Sequence, residues 1–433
     1  MTLRRRDFIT ASGLGLTGAV LLTACGNGNG GSAGGANGGN GNGGGGGGSE
    51  QLSILTPEFA GTSGEAAFEG DILAAFGDHT FSVDYTDWGR LNESLSAAVA
   101  GGVVADLIMV GAGWVEPFAE RGVLGELPES LLDGKGLDEN LVGIGRHDGT
   151  LFGIPYFVDG RVLTYHRDMF DAAGIDEDNL PSSLEDFREM LKEVVPDGGV
   201  AIDLFSQNLR QVWAHLIGAY GGDMFNEDGT QVAFTDGTGV AALQYMLDLV
   251  EDGTASFDVQ AAEGQPRPWQ QERAAIDMMN SSSWPTLVQE TPGLVTEESM
   301  GMMLLPSSGG GDPVMFQGGT LLTISARTQN EELVQELVNH MMEPEHLLTA
   351  VEEVGKVPSR EDLDESVLAE NRLLTYTTDN FQYATAFEGG SPAWMEVRGA
   401  VAGEIEAAIV GQKTAAEAVD ALAAVAEDAI SRI

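Results

Sequence analysis

A single cysteine, Cys25, stands in 433 residues. One thiol cannot close an intramolecular disulfide, and no CxxC pair is present to hold zinc or run redox exchange. Histidine is also scarce. The six, at positions 79, 147, 166, 215, 340 and 346, are scattered with no HExxH spacing, so neither a metal site nor a cofactor is expected. Lysine is scarcer still, with only Lys135, Lys192, Lys356 and Lys413. Against 67 Asp and Glu there are 21 Lys and Arg, for a formal net charge of −46. Such a surface repels nucleic acid and anionic lipid, which excludes both as ligands. The acid is spread over apolar-patterned segments rather than gathered in a tail. It reads as adaptation to high salt, where repulsion is screened over about 3 Å at 1 M. No P-loop, GxGxxG or GxSxG is present, which removes the signals for nucleotide binding and for a serine hydrolase elbow. The acidic run Asp176–Asn179 lacks the glycine turn and distal Glu of a calcium loop.

The N-terminus has a layout of its own. A basic cluster, Arg4 to Arg6, precedes an apolar run from Ala11 to Ala24. That run falls short of the roughly 20 residues that span a bilayer, so residues 1–24 read as a signal peptide. Arg5-Arg6 followed by Asp7-Phe8-Ile9 resembles the twin-arginine export motif. Leu22-Thr23-Ala24-Cys25 resembles a lipobox, which implies cleavage before Cys25 and a lipid on its thiol. From Gly26 to Ser49 only Gly, Asn, Ser and Ala occur. Residues 25–50 therefore read as an anchor and flexible tether, with an end-to-end distance of roughly 25–30 Å.

Beyond residue 50, strand and helix patterns alternate. Leu52–Leu55, Phe81–Tyr85 and the continuous apolar run Ala105–Val110 read as strands. Ala66–Phe76 and Leu91–Val99 between them read as helices, which argues an α/β domain. Shorter strands fit Leu163–Tyr165, Met302–Leu305 and Leu321–Ile324. Ser182-x-x-Glu185 and Thr414-x-x-Glu417 have capping-box spacing ahead of amphipathic helices, and Glu331–Met342 forms another. Six tryptophans, at 88, 114, 213, 269, 284 and 394, lie near turn residues. Several converging on a cleft would give flat platforms for sugar rings, with carboxylates accepting from hydroxyls.

The stretch "DGTLFGIPYFVDGRVLTYHRDMFDAAGIDEDNLPSSLEDF", Asp148–Phe187, resembles the signature of extracellular solute-binding proteins of ABC importers, in the sugar-binding, maltodextrin-type cluster. Phe152, His166 and Ser183-Leu184 depart from it. Four further stretches agree in order, among them "RAAIDMMNSSSW" and "PAWMEVRGAVAGEIEAAIVGQKTAAEAVDAL". The resemblance covers nearly all of residues 51–433. It implies a two-lobed, periplasmic-binding-protein-like α/β fold with ligand in the cleft between lobes. The first lobe is expected at 51–158 plus 307–356, and the second at 159–306 plus 357–433.

Residue roles follow from matching positions. Trp284 and Trp394 match stacking aromatics of the cleft. Tyr156 and Asp159 follow the G-I-P-Y turn at the first crossing. Gly111 and Gly318 stand where ligand approaches backbone, and Trp88 and Glu58 lie on first-lobe loops. Trp114 is expected to pack its own helix. No catalytic residue is assigned. The resemblance implies a receptor that captures a sugar outside the cell and passes it to an ABC permease, held at the membrane by its lipid. A cleft of aromatic and acidic residues favours a neutral, hydroxyl-rich ligand. A binding protein for another solute, wanting convergent arginines if the solute is an anion, and a surface glycosidase, wanting two positioned carboxylates, remain as rivals.

Overall fold

The computed structural model describes residues 50–433, apart from 60, 138, 207, 262–264 and 364–368. The expected signal peptide, Cys25 and the Gly/Asn tether lie outside the described residues.

Twelve strands follow in chain order: β1 (Gln51–Pro57), β2 (Thr80–Thr86), β3 (Leu107–Gly111), β4 (Arg146–His147), β5 (Thr150–Leu151), β6 (Gly153–His166), β7 (Val200–Asp203), β8 (Ala274–Met279), β9 (Met300–Met303), β10 (Met315–Ile324), β11 (Val357–Pro358) and β12 (Ala384–Phe387). All but the β4–β5 hairpin join one sheet, whose main path runs β2-β1-β3-β10-β6-β8-β7. β1 pairs parallel with β2 and β3. β10 runs antiparallel to both β3 and β6, and β6 antiparallel to β8. All five residues of β3 are buried. That matches its unbroken apolar sequence, since a parallel strand covered on both faces has no polar side to show.

β6 and β10 are the long strands of the sheet, with 14 and 10 residues. They run side by side from Phe316↔Arg161 to Thr323↔Gly153. The division expected after residue 158 falls inside β6, an unbroken strand. One apolar cluster draws on Leu52, Leu107, Ile154, Leu322 and Val338. A larger one reaches from Leu55 and Val110 through Trp213 and Ala275 to Leu422.

Local capping fixes several helices. Asp87 Oδ1 accepts from the backbone N–H of Gly89 and Arg90, at 2.8 and 3.0 Å, and so starts the helix Trp88–Gly101. Gly102, at φ +73°, ends it. The capping box at Thr414 and Glu417 is present, with both of its hydrogen bonds formed. The other expected box is shifted by one residue. Ser183 caps the helix Leu184–Glu193 by accepting from Asp186 N–H at 3.0 Å. The expected helix 66–76 is a composite, with an α-helix to Ala67, a π-turn Phe68–Ile72 and a 3-10 turn Leu73–Ala75.

Candidate functional site

The carboxyl ends of β1, β2 and β3 meet the middle of β6 and β10 around a cavity of about 510 Å³. The volume is that of a small-molecule site, and open α/β sheets bind ligand at such strand ends. β1 runs into Glu58 and Phe59, and β2 into Asp87 and Trp88. β3 runs into Gly111 and Trp114. The opposite wall brings Asn208, Arg210 and Gln211 from the start of the helix Leu209–Ala219, Asn280 and Ser282 from the end of β8, and Glu388 from the end of β12. Lys356 immediately precedes β11. Arg398 comes from the helix Trp394–Ile409.

Period-two alternation places Phe157, Asp159 and Arg161 of β6 on the cavity. Val158 between them is buried in an apolar cluster, as is Tyr156, which sits at a register shift against β10. Gly318 pairs with Asp159 across the two strands. Gly113 lets the walls close up, because a Cβ there would stand 2.1 Å from the carbonyl oxygen of Glu388. Trp88 and Trp114 meet edge to face, with centroids 6.0 Å apart and planes at 80°.

The charge of the cavity inverts that of the chain. Arg161, Arg210, Arg267, Lys356 and Arg398 line it, against the carboxylates Glu58, Asp87, Asp159 and Glu388. Two of the cations are paired. Arg210 grips Glu388 with two hydrogen bonds, and Arg267 reaches Asp277 at 3.1 and 3.3 Å. Burial pushes the carboxyl of Asp277 up to about 6, against the pull of Arg267. Asp87 pairs with Arg90. Arg161 donates to Gln211 Oε1 at 2.7 Å, and its Nε finds no partner among the described residues. Desolvation lowers the proton affinity of Arg161, Lys356 and Arg398 from their ordinary values, that of Arg398 to about 10.

Of the residues expected here, Glu58, Trp88, Gly111, Asp159 and Gly318 line the cavity. Tyr156, Trp284 and Trp394 do not. Tyr156 is fully buried, its hydroxyl is without a partner, and burial raises its pKa. Trp284 opens the helix Trp284–Glu290 and packs against an apolar cluster with Val162 and Leu304. Trp394 is fully buried, edge-on to Phe225 at 6.4 Å, and it is Arg398, one turn further along the same helix, that reaches the cavity. Trp114 does pack, as expected, but it also forms part of the cavity wall.

The expectation of an aromatic and acidic cleft missed the five cations. A signal for them existed. Only eighteen Lys and Arg lie beyond the Arg4–Arg6 cluster, and Arg161 sits two residues after Asp159 on the same strand face. The histidines are also less scattered than their spacing suggests, since ligand atoms of His340, Glu343 and His346 lie within 4.8 Å of one another.

The model of the bacterial extracellular solute-binding protein family matches residues 32–346. This chain belongs to that family. Over 293 residues it is 24% identical to the diacetylchitobiose binding protein of Streptomyces coelicolor, covering 65% of this chain and 66% of that one. Over 220 residues it is 26% identical to the sn-glycerol-3-phosphate-binding periplasmic protein of Agrobacterium fabrum, covering 48% and 46%. Curated relatives described as putative binding proteins match over 188 residues at 26% identity, so the match spans less than half of their length, 45%. Among solved structures, the GacH receptor of Streptomyces glaucescens, studied unliganded and with acarbose, superposes with a TM-score of 0.75. At 18% identity, over 89% of this chain and 98% of that one, the likeness establishes the two-lobed binding-protein fold. No described helix is long and apolar enough to cross a membrane.

Proposed function

We propose that this protein is the solute-capturing receptor of an ABC importer, that its ligand is a sugar or a hydroxyl-rich relative of one, and that the site is the cavity between the β1–β3 loops and the opposite wall. The observation that carries this reading is that Trp88 and Trp114, in edge-to-face contact, line the same cavity as Asn208, Gln211, Asn280 and Asp159. Apolar ring faces cover the C–H surfaces of a sugar, and amides and carboxylates satisfy its hydroxyls. Glu58, Gly111 and Gly318 belong to the same contact set. The lobes are taken as 51–158 plus 307–356 and 159–306 plus 357–433, with β6 crossing from one to the other. The reading involves no catalytic step, and the ligand is handed unchanged to a membrane permease. Twin-arginine export, a lipid on Cys25 and the Gly/Asn tether would hold the receptor at the outer face of the membrane. The diacetylchitobiose and acarbose named for the two relatives support a saccharide panel as the starting point.

The test is a thermal-shift screen of the purified protein against mono- and oligosaccharides, with product analysis. Stabilisation by one class of sugar, with the sugar recovered intact, is the expected outcome. Release of smaller sugars would replace this reading with hydrolysis. For the anchor, Cys25→Ser should move the protein from the membrane fraction to the medium; unchanged retention would count against lipidation.

A further inference from the structure

The unpaired cations of the cavity carry a statement about the ligand. In a chain with 67 carboxylates, an arginine or lysine that needs a partner has many to choose from. Arg210 and Arg267 have taken theirs, Glu388 and Asp277. Arg161, Lys356 and Arg398 make no ion pair among the described residues. Instead Lys356 Nζ stands 5.8 Å from the centre of the Trp88 ring. The guanidinium of Arg398 stands 4.8 Å from that of Trp114, and its Nη2 makes only a long contact, 3.4 Å, with the Trp88 carbonyl. The Nε of Arg161 and that of Arg398 are both buried and have no partner among the described residues.

Arg161 repels Lys356, and each is attracted by Asp159. Asp159 does not quench both. One of its oxygens accepts from Asn280 Nδ2 at 3.0 Å, and the other is buried with no partner among the described residues. Glu388 and Asp277 also attract Arg161, but each is already held by another arginine, Arg210 and Arg267, so Asp159 is the carboxylate left to Arg161 and Lys356. Holding like charges together in a desolvated place costs stability unless something compensates, and such arrangements gather at functional sites.

We propose that the ligand carries an anionic group, a carboxylate or a phosphate ester on a hydroxyl-rich carbon skeleton, and that Arg161 and Lys356 receive this group, with Arg398 as a third positive contribution beside the tryptophan pair. The inference rests on the receptor reading and narrows it. It departs from the neutral ligand expected from an aromatic and acidic cleft. Both anions accept the charge-assisted hydrogen bonds that guanidinium and ammonium groups donate, and these are shorter and about twice as strong as neutral ones. Asp159, Asn280 and Gln211 are left to hold the hydroxyls around it.

The test is isothermal titration of the full-length protein with matched pairs, glucuronate against glucose, digalacturonate against its neutral galactose disaccharide, and sn-glycerol 3-phosphate against glycerol. At least one acid should bind ten-fold or more tightly than its neutral partner. Which pair shows the preference separates carboxylate from phosphate. Lys356→Met should erase most of the preference, and Lys356→Arg, which keeps the charge, should retain it; the pair distinguishes lost charge from lost folding. Neutral members binding as tightly as the acids would overturn the inference while leaving the receptor reading intact. Failure of every pair and of the neutral oligosaccharide screen would overturn both.

Discussion

His215 shows what burial does to a single ionisable residue. It is fully buried, its Nε2 bonds to the Val314 carbonyl at 2.9 Å and its Nδ1 has no partner. Desolvation lowers its pKa from 6.5 to about 4. Because the folded value is the lower one, the unfolded chain takes up a proton between pH 6.5 and 4 that the native state refuses. Stability from neutral His215 is therefore present above pH 6.5 and lost as pH falls through that window, by up to about 3 kcal/mol. Urea unfolding of the wild type and of His215→Gln at pH 7 and pH 4.5 checks this. The advantage of the wild type should shrink at the lower pH, and a constant gap would contradict it. Residue roles were the part least legible in the sequence. Trp284 and Trp394 stand at positions that match a binding aromatic, yet one packs beside Leu304 and the other beside Phe225. An aromatic near a turn can serve a core or a cleft equally well, and nothing in the chain order decides between them. Arg161 and Lys356 carry the opposite lesson: their scarcity is visible in the sequence, but that neither forms an ion pair among the described residues is visible only in the fold.

At the scale of elements the sequence was more informative, since period and capping are local properties. The continuous apolar run Ala105–Val110 holds most of β3, a buried strand parallel to β1 and antiparallel to β10, and Leu52–Leu55 and Phe81–Tyr85 sit inside β1 and β2. β6 was seen only in part, as Leu163–Tyr165. Glycines and a proline interrupt its pattern, and its full length depends on β10 pairing beside it. The alternation within it still separates Tyr156 from Asp159. In the C-terminal helix Ala415–Ile430, Thr414 and Glu417 cap reciprocally, with Thr414 Oγ1 accepting from Glu417 N–H at 3.2 Å and Glu417 Oε2 from Thr414 N–H at 2.8 Å. Thr414→Ala should cost ~1 kcal/mol. A urea midpoint lower than that of the wild type, with an unchanged slope, is the expected outcome; an unshifted midpoint would mean that the cap adds nothing beyond the packing of the helix.

For the whole molecule, the net charge of −46 sets the conditions under which the fold is stable. Self-repulsion among the carboxylates opposes compaction, and salt screens it. The melting temperature is expected to rise between 0.1 M and molar salt, and equal stability at both would remove salt adaptation from the account. Against that background, five cations stand with four carboxylates around one cavity, at the place where the parallel strands end. The central claim is that this cavity takes up a hydroxylated solute and releases it unchanged. Its most direct test is calorimetric titration of the wild type and Trp88→Ala with the solute that gives the largest thermal shift, followed by mass analysis of the solute. The account predicts saturation at one ligand per chain, affinity reduced at least about ten-fold by Trp88→Ala, equivalent to ~1.4 kcal/mol, and a solute of unaltered mass. Equal affinity in the variant, or a solute converted to products, would contradict it.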